Sequence, residues 1–141
     1  MGDHEWPMPY RKGSVYFHFQ VKDFERAKKF YTDIMGFEVK WDGGTKVGCA
    51  EFELPAPGAR LGINFIREGE AAYRMGSGTL SMEVEELDSC ISYLESKGVE
   101  TSEIIDVPNM ISYFNVKDTE GNPIQFVTEP RVKNEDNPFP D

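Results

Sequence analysis

The chain has 141 residues, 39% of them hydrophobic and 13% aromatic, enough for one domain with a real core. Its formal charge of -10 argues against a phosphate-binding surface, and so against nucleic acid as a partner. No apolar run is long enough to span a bilayer, and "MGDHEWPMPY" lacks the basic and apolar regions of a signal peptide, so the expectation is a cytoplasmic protein with no membrane partner.

Residues 1–13 carry two prolines, mixed charges and no period, and read as an N-terminal arm. In "VYFHFQV" (15–21) the apolar Val15, Phe17, Phe19 and Val21 alternate with Tyr16, His18 and Gln20, the period of a strand with one buried and one polar face. Asp23 then offers an N-cap, and Phe24, Ala27, Phe30, Tyr31 and Ile34 recur at helical spacing until Gly36 supplies a stop. Three strands are predicted next, "FEVKW" (37–41), "KVGCAEFEL" (46–54) and "ARLGINFIR" (59–67), separated by the turn-forming clusters "DGG" and "PAPG". The order then recurs. "TLSMEV" (79–84) alternates, a helix carrying Leu87, Cys90, Ile91 and Leu94 runs to Gly98, and strand candidates follow at "TSEII", "MISYFNV" and "PIQFVT". From Pro130 the chain has the character of a tail, 130–141. Cys49 and Cys90 are too few for a disulfide framework and read as small buried hydrophobes.

The recurrence has a fixed offset of 63. It carries Val21 to Val84, Asp23 to Glu86, Phe24 to Leu87, Ala27 to Cys90 and Phe30 to Tyr93. It also carries Gly58 to Gly121, Leu61 to Ile124 and Ile63 to Phe126. One offset that fits two segments about forty residues apart points to duplication. The organisation predicted is two βαβββ modules, 14–67 and 78–129, joined by the polar linker "EGEAAYRMGS" (68–77).

The stretches "VKDFERAKKFYTDIMGF", "VEELDSCISYLESKGVE" and "VKDTEGNPIQFV" resemble the vicinal oxygen chelate superfamily, which includes glyoxalase I, extradiol dioxygenases, and bleomycin and fosfomycin resistance proteins. The last stretch is similar to the family's "DPxGN" turn, with Thr119 in place of proline. The resemblance implies an α+β fold whose two modules form a curved, largely antiparallel sheet around a concave cavity. In metal-dependent members, the first and last strand of each module each supply one ligand, usually His or Gln with Glu. The corresponding positions here are Tyr16, Gly62, Thr79 and Gln125, which offer neither a carboxylate nor an imidazole. The expectation is therefore no family metal site and no cofactor.

By strand alternation His18 and Gln20 share the cavity side with Tyr16, Arg60 and Asn64 flank Gly62, and Ser81 and Glu83 follow Thr79. Ala50, Phe52 and Leu54 claim the buried side of their strand, leaving Glu51 and Glu53 toward the cavity. His18 is the candidate catalytic base, because an imidazole beside Glu51 or Glu83 is suited to taking up a proton. The plainer alternative is one polar residue on a solvated sheet face. A ligand set improvised from His18, Glu51 and Glu83 is the one route to a metal ion.

Three functional readings follow. The first is metal-independent binding of an unidentified small organic molecule by Tyr16, His18, Gln20, Asn64, Thr79, Ser81, Glu83 and Gln125. The second is a lyase, isomerase or dioxygenase with a rebuilt site. The third is an interaction module whose cavity is filled by its own side chains. The resemblance also implies a homodimer.

Overall fold

The computed structural model describes residues 4–7, 9–10, 15–65 and 79–134. The predicted linker, the last two residues of the predicted strand 59–67, and parts of the arm and tail lie outside the described residues. In the first module, β1 is Val15–Val21, α1 is Phe24–Lys29 and runs into a π-helical turn Phe30–Ile34, β2 is Glu38–Asp42, α2 is Gly44–Val47, β3 is Cys49–Glu53 and β4 is Ala59–Phe65. The second module has β5 Leu80–Glu83, α3 Leu87–Ser96, β6 Ile105–Val107, β7 Ile111–Lys117 and β8 Pro123–Thr128. Among the described residues no helix is long and apolar enough to cross a membrane.

Each module forms its own four-stranded sheet, in the orders β1-β4-β3-β2 and β5-β8-β7-β6, with only the β1/β4 and β5/β8 pairs parallel. The pairing registers carry the duplication. Phe17, His18, Phe19 and Gln20 face Leu61, Gly62, Ile63 and Asn64, and adding 63 to each gives the β5/β8 pairs Leu80–Ile124, Ser81–Gln125, Met82–Phe126 and Glu83–Val127. For β3 the offset becomes 64, since Glu51–Gly62 and Phe52–Leu61 map onto Asn115–Gln125 and Val116–Ile124.

Three predicted elements differ from those observed. The first helix does not stay α-helical to Gly36: its end widens, with Met35 N–H donating to Phe30 O at 3.1 Å, and both Phe30 and Tyr31 are buried. A wider turn lets two successive aromatic residues reach the interior. The second difference lies in "KVGCAEFEL", where Lys46 and Val47 belong to α2. Asp42 Oδ1 accepts from Gly44 N–H at 2.8 Å, and Gly48 ends the element at a left-handed φ of 76° that favours glycine. Third, β6 is displaced to 105–107. Ser102 meets β7 through its hydroxyl as well as its backbone: Asn115 N–H donates to Ser102 Oγ at 2.8 Å, so a side chain takes the place of a ladder carbonyl.

The buried faces of both sheets and the helices that cover them form one core, including Phe19, Phe52, Leu61, Phe114, Ile124 and Phe126. Burial of this order supplies the main stabilising term, roughly 1.5–3 kcal/mol per large apolar side chain. The turn 118–122 clamps the modules together. Asp118 accepts from the backbone N–H of Glu120 and Asn122 at 2.8 Å, and from the Tyr31 hydroxyl of the first module at 2.7 Å. Glu120 accepts from Lys22 N–H, Asp23 N–H and Arg26 Nε at the start of α1, and its side chain is 1% exposed. Asn122 Nδ2 donates to Gln20 O at 3.1 Å. The first residues of the tail are also docked, because Arg131 Nε and its guanidinium pair with Asp106 while Asn134 N–H donates to Asn109. Arg131 and the Ser112 hydroxyl hold the Asp106 carboxyl down at about 2.

Candidate functional site

Alternation along β1 turns Phe19 and Val21 into the core and leaves Tyr16, His18 and Gln20 on the opposite face. The strand registers extend that face into three cross-strand rows: Tyr16–Arg60–Glu53, His18–Gly62–Glu51 and Gln20–Asn64–Cys49. In the middle row glycine creates the geometry. An ideal Cβ on Gly62 would stand 2.6 Å from His18 Cε1 and 2.8 Å from Nδ1, so the imidazole lies across the space a side chain would take. The family ligand position at Gly62 is thus covered by the ring of its neighbour.

Asn64 Oδ1 fixes that ring. It accepts from His18 Nδ1 at 2.8 Å and from the Cys49 thiol at 3.1 Å. With the proton on Nδ1, the Nε2 lone pair of the neutral ring has no protein donor among the described residues. A second acceptor stands one row away: Gln20 Oε1 is buried with no partner.

Above His18 the Tyr16 ring is 5.0 Å away centroid to centroid, with Arg60 at 4.7 Å from the Tyr16 centroid. Tyr16 is 52% exposed. Arg60 reaches Glu51 at 2.6 Å, and both side chains are mostly buried. Burial pushes the Cys49 thiol up, and the charge of Glu51 adds to the effect, so Cys49 is a hydrogen-bond donor rather than a nucleophile. The sequence reading of Cys49 as a small hydrophobe therefore missed a member of this network, which only the β3/β4 register could have supplied.

The second sheet repeats the middle row with neutral groups. The Ser81 hydroxyl donates to Gln125 Oε1 at 3.1 Å, and Gln125 Nε2 reaches Asn115 Oδ1 at 3.5 Å. Thr79 and Glu83 flank Ser81 and are exposed. The structure thus groups Tyr16, His18, Gln20 and Asn64 on one sheet, and Ser81, Glu83 and Gln125 on the other, with Thr79 just before β5.

A divalent ion does not fit these donors. Gly62 has no side chain, Gln125 Oε1 already accepts from Ser81 and Glu51 is paired with Arg60, so His18 Nε2 would be left as a single ligand. The improvised set of His18, Glu51 and Glu83 is not assembled either, since Glu83 belongs to the other sheet and, among the described residues, no three His, Cys, Asp or Glu side chains converge.

Residues 13–126 match the model of the Glyoxalase/Bleomycin resistance protein/Dioxygenase superfamily. No curated protein matches the chain. Among solved structures it is similar to TnmS3, an antibiotic binding protein from Streptomyces sp. CB03234, with 20% identity and a TM-score of 0.70 over 86% of this chain and 98% of that one. It is similar to lactoylglutathione lyase from Agrobacterium tumefaciens, with 16% identity and a TM-score of 0.69 over 86% and 96% of the two chains. A glyoxalase family protein from Enterococcus faecalis gives 20% identity and 0.63 over 83% and 96%. At these identities the likeness is one of fold.

Proposed function

Because the chain belongs to the glyoxalase/bleomycin resistance protein/dioxygenase superfamily, we propose that it binds a small organic molecule on the polar face of its first sheet without a divalent ion. The observation that carries the reading is the His18 imidazole laid over Gly62 and pinned by Asn64, with Nε2 left as an acceptor. Gln20 Oε1 is a second acceptor, and the half-exposed Tyr16 ring adds an aromatic surface. These groups suit a planar molecule that carries N–H or O–H donors. The antibiotic-binding relative supports a binding role for this fold, and the lactoylglutathione lyase marks the competing enzymatic one.

The test is a thermal-shift screen of planar small molecules run with a chelator present. Hits that stabilise the wild type equally with and without chelator are expected, because ligand binding to the native state raises stability by mass action. A glyoxalase assay with added Ni²⁺, Zn²⁺ or Mn²⁺ addresses the enzyme reading. Metal-dependent turnover, or one tightly bound ion per chain in elemental analysis, would overturn the proposal.

A further inference from the structure

The backbone of β1 carries a pattern of its own beside the alternation of its side chains. Val15 N–H donates to Gly58 O at 3.0 Å, one residue before its partner Ala59, so the odd residues of β1 hold the ladder to β4. The backbone groups of Tyr16, His18 and Gln20 turn outward, and β1 is an edge strand of its sheet. At Gln20 the outward carbonyl is met from the other module, because it accepts from Asn122 Nδ2 at 3.1 Å. Just beyond it, Lys22 N–H and Asp23 N–H donate to Glu120 Oε1 at 3.0 and 2.9 Å. The turn 118–122 thus grips the end of the strand that carries the site.

Asn122 is itself held in one orientation. It is 1% exposed, its backbone N–H donates to Asp118 Oδ1 at 2.8 Å, and its amide also donates to Asp118 Oδ2 at 3.0 Å. Both hydrogens of the amide are used, so the group cannot turn from Gln20 without leaving a buried donor unmade. The brace belongs to one half of the molecule. The offset of 63 carries Gln20 to Glu83, Asn122 to Ala59 and Glu120 to Pro57, and Ala59 has no side-chain donor and Pro57 no side-chain acceptor. The braced strand is the one whose Gln20 Oε1 is buried without a partner. We infer that Asn122 is a positioning residue for the candidate site, through which the second module sets where Gln20 presents its acceptor. The inference rests on the binding role proposed above and adds a coupling to it. A ligand held at Gln20 Oε1 tightens the junction between the modules, and a loosened junction weakens the ligand by the same free energy.

The test needs no ligand, because the chain has only two glutamines, Gln20 and Gln125, and their side-chain amides are separable in a ¹H–¹⁵N spectrum. Spectra are compared for the wild type, Asn122→Ala and Tyr31→Phe. Tyr31→Phe takes a donor from Asp118 but keeps the Asn122 bond to Gln20, so it controls for loss of stability in the clamp. The Gln20 amide pair should shift in Asn122→Ala and hold its place in Tyr31→Phe, with Gln125 in the other sheet unmoved in both. Where Asn122→Ala does not fold, Asn122→Ser, which keeps a hydroxyl near Asp118, takes its place in the comparison. Gln20 signals unmoved in the Asn122 variant would overturn the inference. Equal movement in both variants would do the same, by reducing Asn122 to a structural residue. The ring nitrogens of His18, read in the same samples, keep the two claims apart. A proton on Nε2 in the wild type sinks the binding role whether or not Gln20 responds to Asn122.

Discussion

The first sheet places His18, Gly62 and Glu51 in one cross-strand row, and the second sheet places Ser81, Gln125 and Asn115 in the equivalent row. Backbone register is the same in both, yet the chemistry is not. In the first row glycine vacates a position, the imidazole moves over it, and an acceptor is left without a protein donor. In the second row the Gln125 side chain stays in place and is satisfied by Ser81 and Asn115. Duplication fixes where side chains stand. Which groups remain unsatisfied is decided residue by residue, and a row with an open acceptor is the better candidate for a ligand.

The largest contrast should appear across a single strand. Phe19→Ala should cost about 3–5 kcal/mol, since Phe19 is buried in the core, whereas His18→Ala should cost far less because its ring leaves the opposite, part-exposed face. Urea melts of both variants decide it; equal losses would make His18 a structural residue.

The inter-module clamp is one-sided and gives the next effect. The offset carries Tyr31 to Leu94, and the "PAPG" turn of the first module has no counterpart to Asp118 or Asn122. Tyr31→Phe should therefore cost about 1–3 kcal/mol by leaving the buried Asp118 short of a donor. Burial and the neighbouring Asp118 charge push the Tyr31 hydroxyl far up, so it remains a donor through the alkaline range in which exposed tyrosines ionise.

Glycine at position 62 makes the rows separable. Gly62→Ala puts a methyl against the His18 ring and should cost about 1–3 kcal/mol or expel the ring, while Gln125→Ala in the equivalent place adds no clash. Melting curves of the two variants, read with ligand hits from the screen, should show lost binding only for Gly62→Ala.

The smallest expected effect is on acid stability. Burial pushes the Glu120 carboxyl up, but hydrogen bonds from Arg26, the Asp23 N–H, Thr119 and the Lys22 N–H outweigh it and hold the group below the usual range. A depressed carboxylate contributes stability above its unfolded pKa of about 4.3 and loses it as pH falls through the lower folded value. Glu120→Gln should flatten that part of the stability profile, and an unchanged acid slope would remove Glu120 from the account.

Much of this was readable from the chain. The alternation at 15–21 anticipates β1 and the burial of Phe19 and Val21, although Val15 is exposed, and the offset of 63 recurs between the β1/β4 and β5/β8 registers. The offset of 64 at β7, which returns to 63 at β8, shows only in the strand registers. The β6 segment was misplaced since Ser102 pairs through its hydroxyl, which leaves no alternation to detect. For the site, parity places Tyr16, His18 and Gln20 on one face, but it cannot show that Asn64 gathers His18 and Cys49, or that Arg60 closes on Glu51. Those contacts depend on which strands are neighbours. The clamp at Asp118 was legible only as a turn, because its partner Tyr31 lies 87 residues away.

The account turns on an imidazole protonated at Nδ1 with Nε2 free to meet a ligand, and the chain's two histidines make that observable in one spectrum. A long-range ¹H–¹⁵N correlation of chelator-treated protein, recorded with the rings neutral, reads the tautomer of His18 directly. Repeating it with a stabilising hit from the screen shows which nitrogen the ligand meets. The predicted result is a proton on Nδ1 in both spectra and a ligand-induced shift at Nε2. A proton on Nε2 in the free protein, or an Nε2 signal unmoved at saturation, would contradict the account.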